Sequence, residues 1–115
     1  MNELIPEKYR DDEEIIRLTI EQIKKDFGTH FPEPQFSGVK EKLFDELVFQ
    51  VSEALTAIRQ SNPLVLKAIL YQVDVRENDI QETFHQPSIY SLSERIIKRE
   101  FQKVLTKRFF SDKGT

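Results

Sequence analysis

The sequence predicts an all-α fold, a single-domain bundle of four to five helices. Apolar residues recur in steps of three and four along several long stretches, the spacing that places them on one face of a helix. Residues that typically cap helices precede most of these stretches. The chain has 115 residues, of which 38% are hydrophobic and 32% charged, so it is long and apolar enough for one core.

The first helix is predicted from about Asp12 to Phe27. Asp11 or Asp12 can cap its free amide groups, and Gly28 supplies a left-handed stop. One face of this helix is apolar and must be buried. Its members are Ile15, Ile16, Leu18, Ile20, Ile23 and Phe27.

A loop is predicted from Gly28 to Ser37, because its two prolines remove backbone donors and favour extended geometry. It carries Phe31 and Phe36, and large aromatic side chains in a loop usually fold back onto a core. If the loop is instead exposed, Phe31 is a candidate for binding a partner.

The second helix is predicted from about Ser37 or Gly38 to Gln60, with an apolar stripe between Val39 and Ile58. Phe49 lies off that stripe. Either a neighbouring helix covers Phe49, or it is exposed for a partner.

The pair Asn62 and Pro63 predicts the start of a third helix, with Asn62 as the cap. The residues that follow, to Val73, are apolar nearly all round the axis, which is typical of a helix at the centre of a fold. A buried strand over residues 65–75 is the alternative, but the cap and the length of the run favour a helix.

A short fourth helix is predicted from about Val75 to Phe84, because Asp74 and Glu77 have the spacing of a capping box. A fifth helix follows from Ser88 or Ser91 to about residue 110. The helical domain is therefore expected to span residues 11–110, between flexible termini at residues 1–10 and 111–115.

The absence of cysteine excludes disulfides and thiolate zinc sites, and a cytoplasmic location is expected. Residues 1–10 lack the apolar run of a signal peptide, and no stretch approaches the ~20 apolar residues of a membrane span. The net charge of -3 argues against a dedicated nucleic-acid-binding protein.

No catalytic, cofactor-binding or metal-binding motif is recognisable, so no residue is assigned to these roles and no cofactor is expected. Glu82 and His85 stand three apart on a predicted helix, but a di-iron bundle needs such a pair twice. His30 and Glu33 have the same spacing in a loop, where the spacing fixes no geometry. Ordinary helix-end and loop histidines are the simpler interpretations.

Glu100 projects onto the apolar face of the fifth helix rather than onto its charged face. A buried carboxylate without a partner is costly, so Glu100 should pair with a basic residue or mark an interface or pocket. Arg17, Arg59 and Arg76 on other helices are the candidate partners. A structural ion pair is favoured over a functional acid.

A basic face lies on the opposite side of the fifth helix and could follow phosphate groups or an anionic membrane surface. It comprises Arg95, Lys98, Arg99 and Lys103. A solvated face, balanced by Glu94 and by the helix dipole, is the simpler interpretation of this pattern in an acidic chain.

The last 45 or so residues resemble small uncharacterised helical proteins of Bacteroidetes-type bacteria. The residues that carry the resemblance are Tyr71, Gln72, Val73, Asp74 and Val75, with Glu94, Ile96, Ile97, Arg99, Glu100, Gln102 and Lys103. The resemblance implies a bacterial cytosolic protein and carries no activity with it.

Many aromatic residues, broad apolar faces and a lack of chemical motifs predict a non-enzymatic protein–protein interaction module. Its partner is expected to be a protein, including a second copy of the same chain. The alternative is nucleic-acid or anionic-surface binding through the basic C-terminal helix. An enzyme or metalloprotein that uses Glu82, His85 and Glu100 ranks last.

Overall fold

The computed structural model describes residues 12–75 and 89–114. Within these ranges the chain forms four α-helices, α1 (Glu13–Phe27), α2 (Leu43–Ser61), α3 (Pro63–Val73) and α4 (Ile89–Gly114). Two 3-10 turns lie at Gly28–His30 and Lys40–Lys42. The described residues contain no β-strand, so the predicted all-α bundle is confirmed.

The two longest helices, α2 and α4, pack against each other at the centre of the bundle. The rings of Phe44 and Phe101 have centroids 5.9 Å apart at one end of this contact. Farther along, the hydroxyls of Ser52 and Ser93 lie 3.0 Å apart, and two small side chains let the helices approach closely. The contacts run in opposite order along the two helices, which are therefore antiparallel.

Helix α1 lies antiparallel along the second half of α4, and we call this contact the α1–α4 seam. Arg108 pairs with Glu14 at 3.0 Å near one end, and Lys103 pairs with Asp26 at 2.8 Å near the other. The predicted apolar face of α1 turns inward between these pairs. Its buried members are Ile15, Ile16, Ile23 and Phe27.

The predicted caps set the ends of α1 and the start of α3. The Asp12 carboxylate accepts hydrogen bonds from the backbone amides of Glu14 and Ile15, at 2.9 and 3.1 Å. Gly28 ends α1 with a φ of 65°, a conformation that glycine adopts without a Cβ penalty. Asn62 caps α3, with Pro63 at its first position.

Helix α3 is not central, which corrects the expectation from its composition. Four of its residues face α1, α2 and α4: Leu66, Ile69, Leu70 and Val73. The opposite side is open, and Leu64 and Tyr71 are 78% and 51% exposed. A helix at the margin of a small bundle has only one side to bury, whatever its composition.

Asp74 ends α3, in a conformation that differs from the one expected of a helix-start cap. It adopts left-handed backbone angles, φ 73° and ψ 47°, whereas a residue that caps a helix start is typically extended. Its amide donates to the carbonyls of Leu70 and Tyr71 at 3.1 Å each. The rest of the predicted fourth helix, beyond Val75, lies outside the described residues.

Helix α4 begins close to its predicted start and continues to Gly114, past the predicted end near residue 110. The predicted C-terminal tail is therefore largely helical, and the predicted N-terminal tail, residues 1–10, lies outside the described residues. Across the described ranges, no helix has the length and apolar character needed to cross a membrane.

The loop between α1 and α2 folds back onto the bundle, as its aromatic residues predict. Phe31 is buried and meets Phe27 edge to face, with ring centroids 5.8 Å apart. The Gln50 side chain accepts from the amide of Gln35 and donates to its carbonyl, both at 2.7 Å. A side chain of α2 thereby holds the loop backbone in place.

Candidate functional site

Glu100 lies fully buried inside the bundle, on the side of α4 that faces α1. Neither of its carboxylate oxygens has a hydrogen-bond partner among the described residues. The Lys103 ammonium is 3.5 Å from Glu100 Oε1, one helical turn further along α4. Among the described residues, Glu100 therefore has one cationic neighbour, at the outer limit of a direct contact.

Lys103 is bound more closely by α1 and α3 than by Glu100. Its Nζ donates to Asp26 Oδ2 at 2.8 Å and to the backbone carbonyl of Gln72 at 3.2 Å. The Asp26 and Lys103 side chains are only 4% and 18% exposed. Gln22 also contacts Asp26, because its Nε2 donates to Asp26 Oδ1 at 3.3 Å. We call Asp26, Glu100 and Lys103 the acid–lysine cluster.

The partner of Glu100 differs from the candidates that the sequence offered. Arg17 pairs with Glu21 on the exposed side of α1, Arg59 forms no ion pair with Glu100, and Arg76 lies outside the described residues. The nearest cation is Lys103 instead, which the sequence assigned to an exposed basic face. Lys103 lies three residues after Glu100, and its long stem lets the ammonium reach back across the α1–α4 seam.

The surroundings of Glu100 together raise the pKa of its carboxyl from 4.5 to about 8, and burial is the largest cause. The neighbouring Asp26 carboxyl is the second cause of this rise, because it can accept the proton of the neutral form and repels the ionised form. Lys103 lowers the pKa by attraction but does not outweigh the other causes. Glu100 is therefore mainly a neutral acid at neutral pH.

A surface groove of about 510 Å³ lies along the α1–α4 seam beside this cluster. Its lining includes Leu18, Gln22, Val104 and Lys107, and Lys107 donates to Gln22 at 2.9 Å. Gln22 therefore contacts both the groove and Asp26. The groove has mixed charge and holds no arrangement of a nucleophile, a base and an oxyanion donor within the described residues.

The basic face of α4 is partly used within the molecule. Arg99 donates to the Asp74 carboxylate at 3.0 Å, which ties α4 to the end of α3. Lys103 is directed into the acid–lysine cluster, so its assignment to a partner-binding face is corrected. Arg95 and Lys98 are half-buried.

The two aromatic residues predicted to contact a partner differ in exposure. Phe31 is buried against Phe27, so it is removed as an exposed anchor. Phe49 is 56% exposed on the outer side of α2. It stands between exposed Asp45 and Glu53, four residues away on either side, and is an isolated apolar side chain on that helix.

The outer face of α3 is a larger apolar surface that the sequence did not single out. Leu64, Ala68 and Tyr71 are all exposed, and their spacing of four and three places them in one row. We call this row the α3 outer face. The available signal is the apolar composition of α3 all round its axis, which predicts a central helix.

The described residues contain no group of three or more histidine, cysteine or acidic side chains able to hold a metal. Glu33 forms an ion pair with Lys24, so it is not directed toward His30, which is itself exposed. Glu82 and His85 lie outside the described residues.

Comparison with known proteins gives no relative for this chain. No family model, no curated protein and no solved structure matches it.

Proposed function

We propose that this protein is a non-enzymatic helical module that binds another protein through the α3 outer face. The observation that supports this proposal is the row of Leu64, Ala68 and Tyr71, exposed side by side on one helix. Single exposed apolar residues are common on soluble proteins, whereas contiguous apolar surface is typical of interaction sites.

The composition of the row suits a protein partner. Leu64 offers an aliphatic side chain that is 78% exposed, and burying a leucine contributes about 1.5–3 kcal/mol. Tyr71 adds an aromatic ring with a polar tip, a residue type enriched in interfaces. Lys67 flanks the row and would lie at a polar rim.

The alternative, binding of nucleic acid or an anionic surface through α4, has less support. Arg99 and Lys103, which belong to the basic face that suggested it, form ion pairs within the molecule, with Asp74 and Asp26 respectively. Phosphate binding would have to compete with those contacts. A lack of salt-dependent DNA or RNA binding at low ionic strength would remove this alternative.

The experiment compares the unaltered protein with Leu64→Asp and Tyr71→Ser. Sedimentation over a range of concentrations reports self-association, and quantitative affinity capture from native extract reports other partners. A specific partner should be retained by the unaltered protein and lost at least tenfold in each variant. A self-associating protein should instead become monomeric in both variants.

Two further variants, both on α2, test whether the binding surface lies on α3 or on α2. Glu53→Gln changes an exposed residue of α2 and should leave binding unchanged. Phe49→Gln removes the isolated aromatic of the same helix. Loss of binding in Phe49→Gln with retention in Leu64→Asp would place the interface on α2 and contradict the proposal.

A further inference from the structure

We propose that the acid–lysine cluster is a proton-operated latch between α1 and α4, closed while Glu100 is neutral and loosened when Glu100 ionises. The cluster joins two distant parts of the chain, because Glu100 and Lys103 lie three residues apart on α4 while Asp26 is separated from Lys103 by 77 residues. The bundle encloses the cluster, so an uncompensated charge there is poorly solvated and destabilises the folded state.

The charges of the cluster balance only if one proton is bound. Asp26 and Lys103, at 2.8 Å, neutralise each other. Glu100 adds a second carboxyl to the same ammonium at 3.5 Å and has no hydrogen-bond donor among the described residues. An ionised Glu100 would leave one uncompensated negative charge in the interior, whereas a neutral Glu100 leaves none.

No other described group facing the cluster can compensate that charge. Helix α1 presents Asp26 as its only buried titratable residue, together with the uncharged Gln22. Helix α3 presents the Gln72 carbonyl, and the buried residues of α2 and α3 are all apolar. On α4 itself, Lys103 is the cation within reach.

Ionisation of Glu100 would act on the contact that joins the helices. The new carboxylate would compete with Asp26 for the Lys103 ammonium, and the two carboxylates would repel each other. Asp26 lies on α1 and Glu100 on α4, so this repulsion would push the two helices apart at the α1–α4 seam. Gln22 contacts Asp26 and also lines the surface groove. The groove is open to solvent, so water there can accept the proton that Glu100 releases.

The sign of the pH dependence follows from the raised pKa of Glu100, about 8 in the folded protein and 4.5 ordinarily. Between these values the folded state holds a proton that the unfolded state has lost, so stability falls as pH rises. The unfolding equilibrium constant should increase by up to about tenfold per pH unit in this window and level off above it.

The test measures urea unfolding from pH 5 to pH 9 for the unaltered protein, Glu100→Gln and the surface control Glu53→Gln. Glutamine has the shape of the neutral acid, so Glu100→Gln should match the unaltered protein near pH 5. At pH 9 it should have an unfolding constant at least tenfold smaller. The control should follow the unaltered protein throughout, and parallel curves for all three proteins would overturn the proposal.

Two further measurements keep the proposal testable if Glu100→Gln does not fold. The side-chain carboxyl carbon of Glu100, followed by NMR in the unaltered protein, should titrate near pH 8, and a midpoint below pH 5 contradicts the proposal. Hydrogen exchange should show greater loss of protection around Asp26 and Glu100 than in α2 between pH 6 and pH 9. A uniform loss would contradict a latch at this seam.

Discussion

Lys103 Nζ and Asp26 Oδ2 lie 2.8 Å apart, in an ion pair that connects the last helix of the bundle to the first. The pair is largely shielded from water, and its lysine also donates to the end of α3 at the Gln72 carbonyl. One side chain of α4 thus contacts two other helices, α1 and α3.

Replacing Lys103 by Met should destabilise the protein by about 3 kcal/mol, because it leaves two acidic side chains in the interior without their cation. Urea unfolding at pH 7 measures this loss. Arg99→Met is the matched control, since its pair with Asp74 is 35% and 75% exposed and should contribute no more than about 1 kcal/mol. Equal losses of unfolding free energy in the two variants would show that the buried pair contributes no more to stability than the exposed pair.

Replacing Asp26 by Asn should weaken the alkaline loss of stability. The variant removes one of the two carboxyls, so Lys103 can neutralise an ionised Glu100 and the bound proton is no longer needed. The pKa of Glu100 should therefore fall, and the alkaline limit of the pH window of decreasing stability should move toward acid, which narrows the window. Unfolding measured at several pH values reports the shift, and a window unchanged from that of the unaltered protein would contradict this reasoning.

Replacing Phe31 by Ala should cost about 3 kcal/mol, because it removes a buried ring packed edge to face on Phe27. Phe49→Ala is the comparison, since it truncates the same residue type at a site that is 56% exposed, and it should change stability by less than about 1 kcal/mol. Thermal or urea unfolding distinguishes the two. A small effect at Phe31 would mean that the loop does not depend on its ring.

Asp74 offers a test of backbone conformation. Its φ of 73° is rare for a residue with a Cβ, so Asp74→Val should destabilise by about 1–2 kcal/mol. Asp74→Gly should be close to neutral, because relief at the left-handed position offsets the loss of the exposed pair with Arg99. A glycine variant as unstable as the valine variant would assign the effect to the lost ion pair.

Local signals in the sequence predicted most of the fold. Asp12 and Asn62 cap helices where short polar side chains precede apolar stretches, and Gly28 ends α1 as expected. These features depend on residues within one helical turn, so they can be derived from spacing alone. Asp74 shows the limit of such rules, because a capping-box spacing was present while the backbone followed the end of α3 instead.

Tertiary relationships were harder to predict. The inward position of Glu100 follows from its place on α4, but its neighbours depend on how helices distant in sequence are arranged. Lys103 looked like a surface residue because helical spacing places its Cα outside the apolar arc, whereas its long stem carries the ammonium inward. The open side of α3 depends on how many neighbours the helix has, which composition does not report.

The attachment of Gln35 to Gln50 bears on how the segment joining the first two helices responds to proteolysis. The primary amide of Gln50 satisfies both backbone groups of Gln35, in the way a neighbouring strand would, and Glu46 accepts from the amide of Ser37 at 3.2 Å. A protease must pull its substrate into an extended form, and here that requires breaking these contacts first. Cleavage of this exposed linker should therefore be slow in the unaltered protein and rapid after Gln50→Ala.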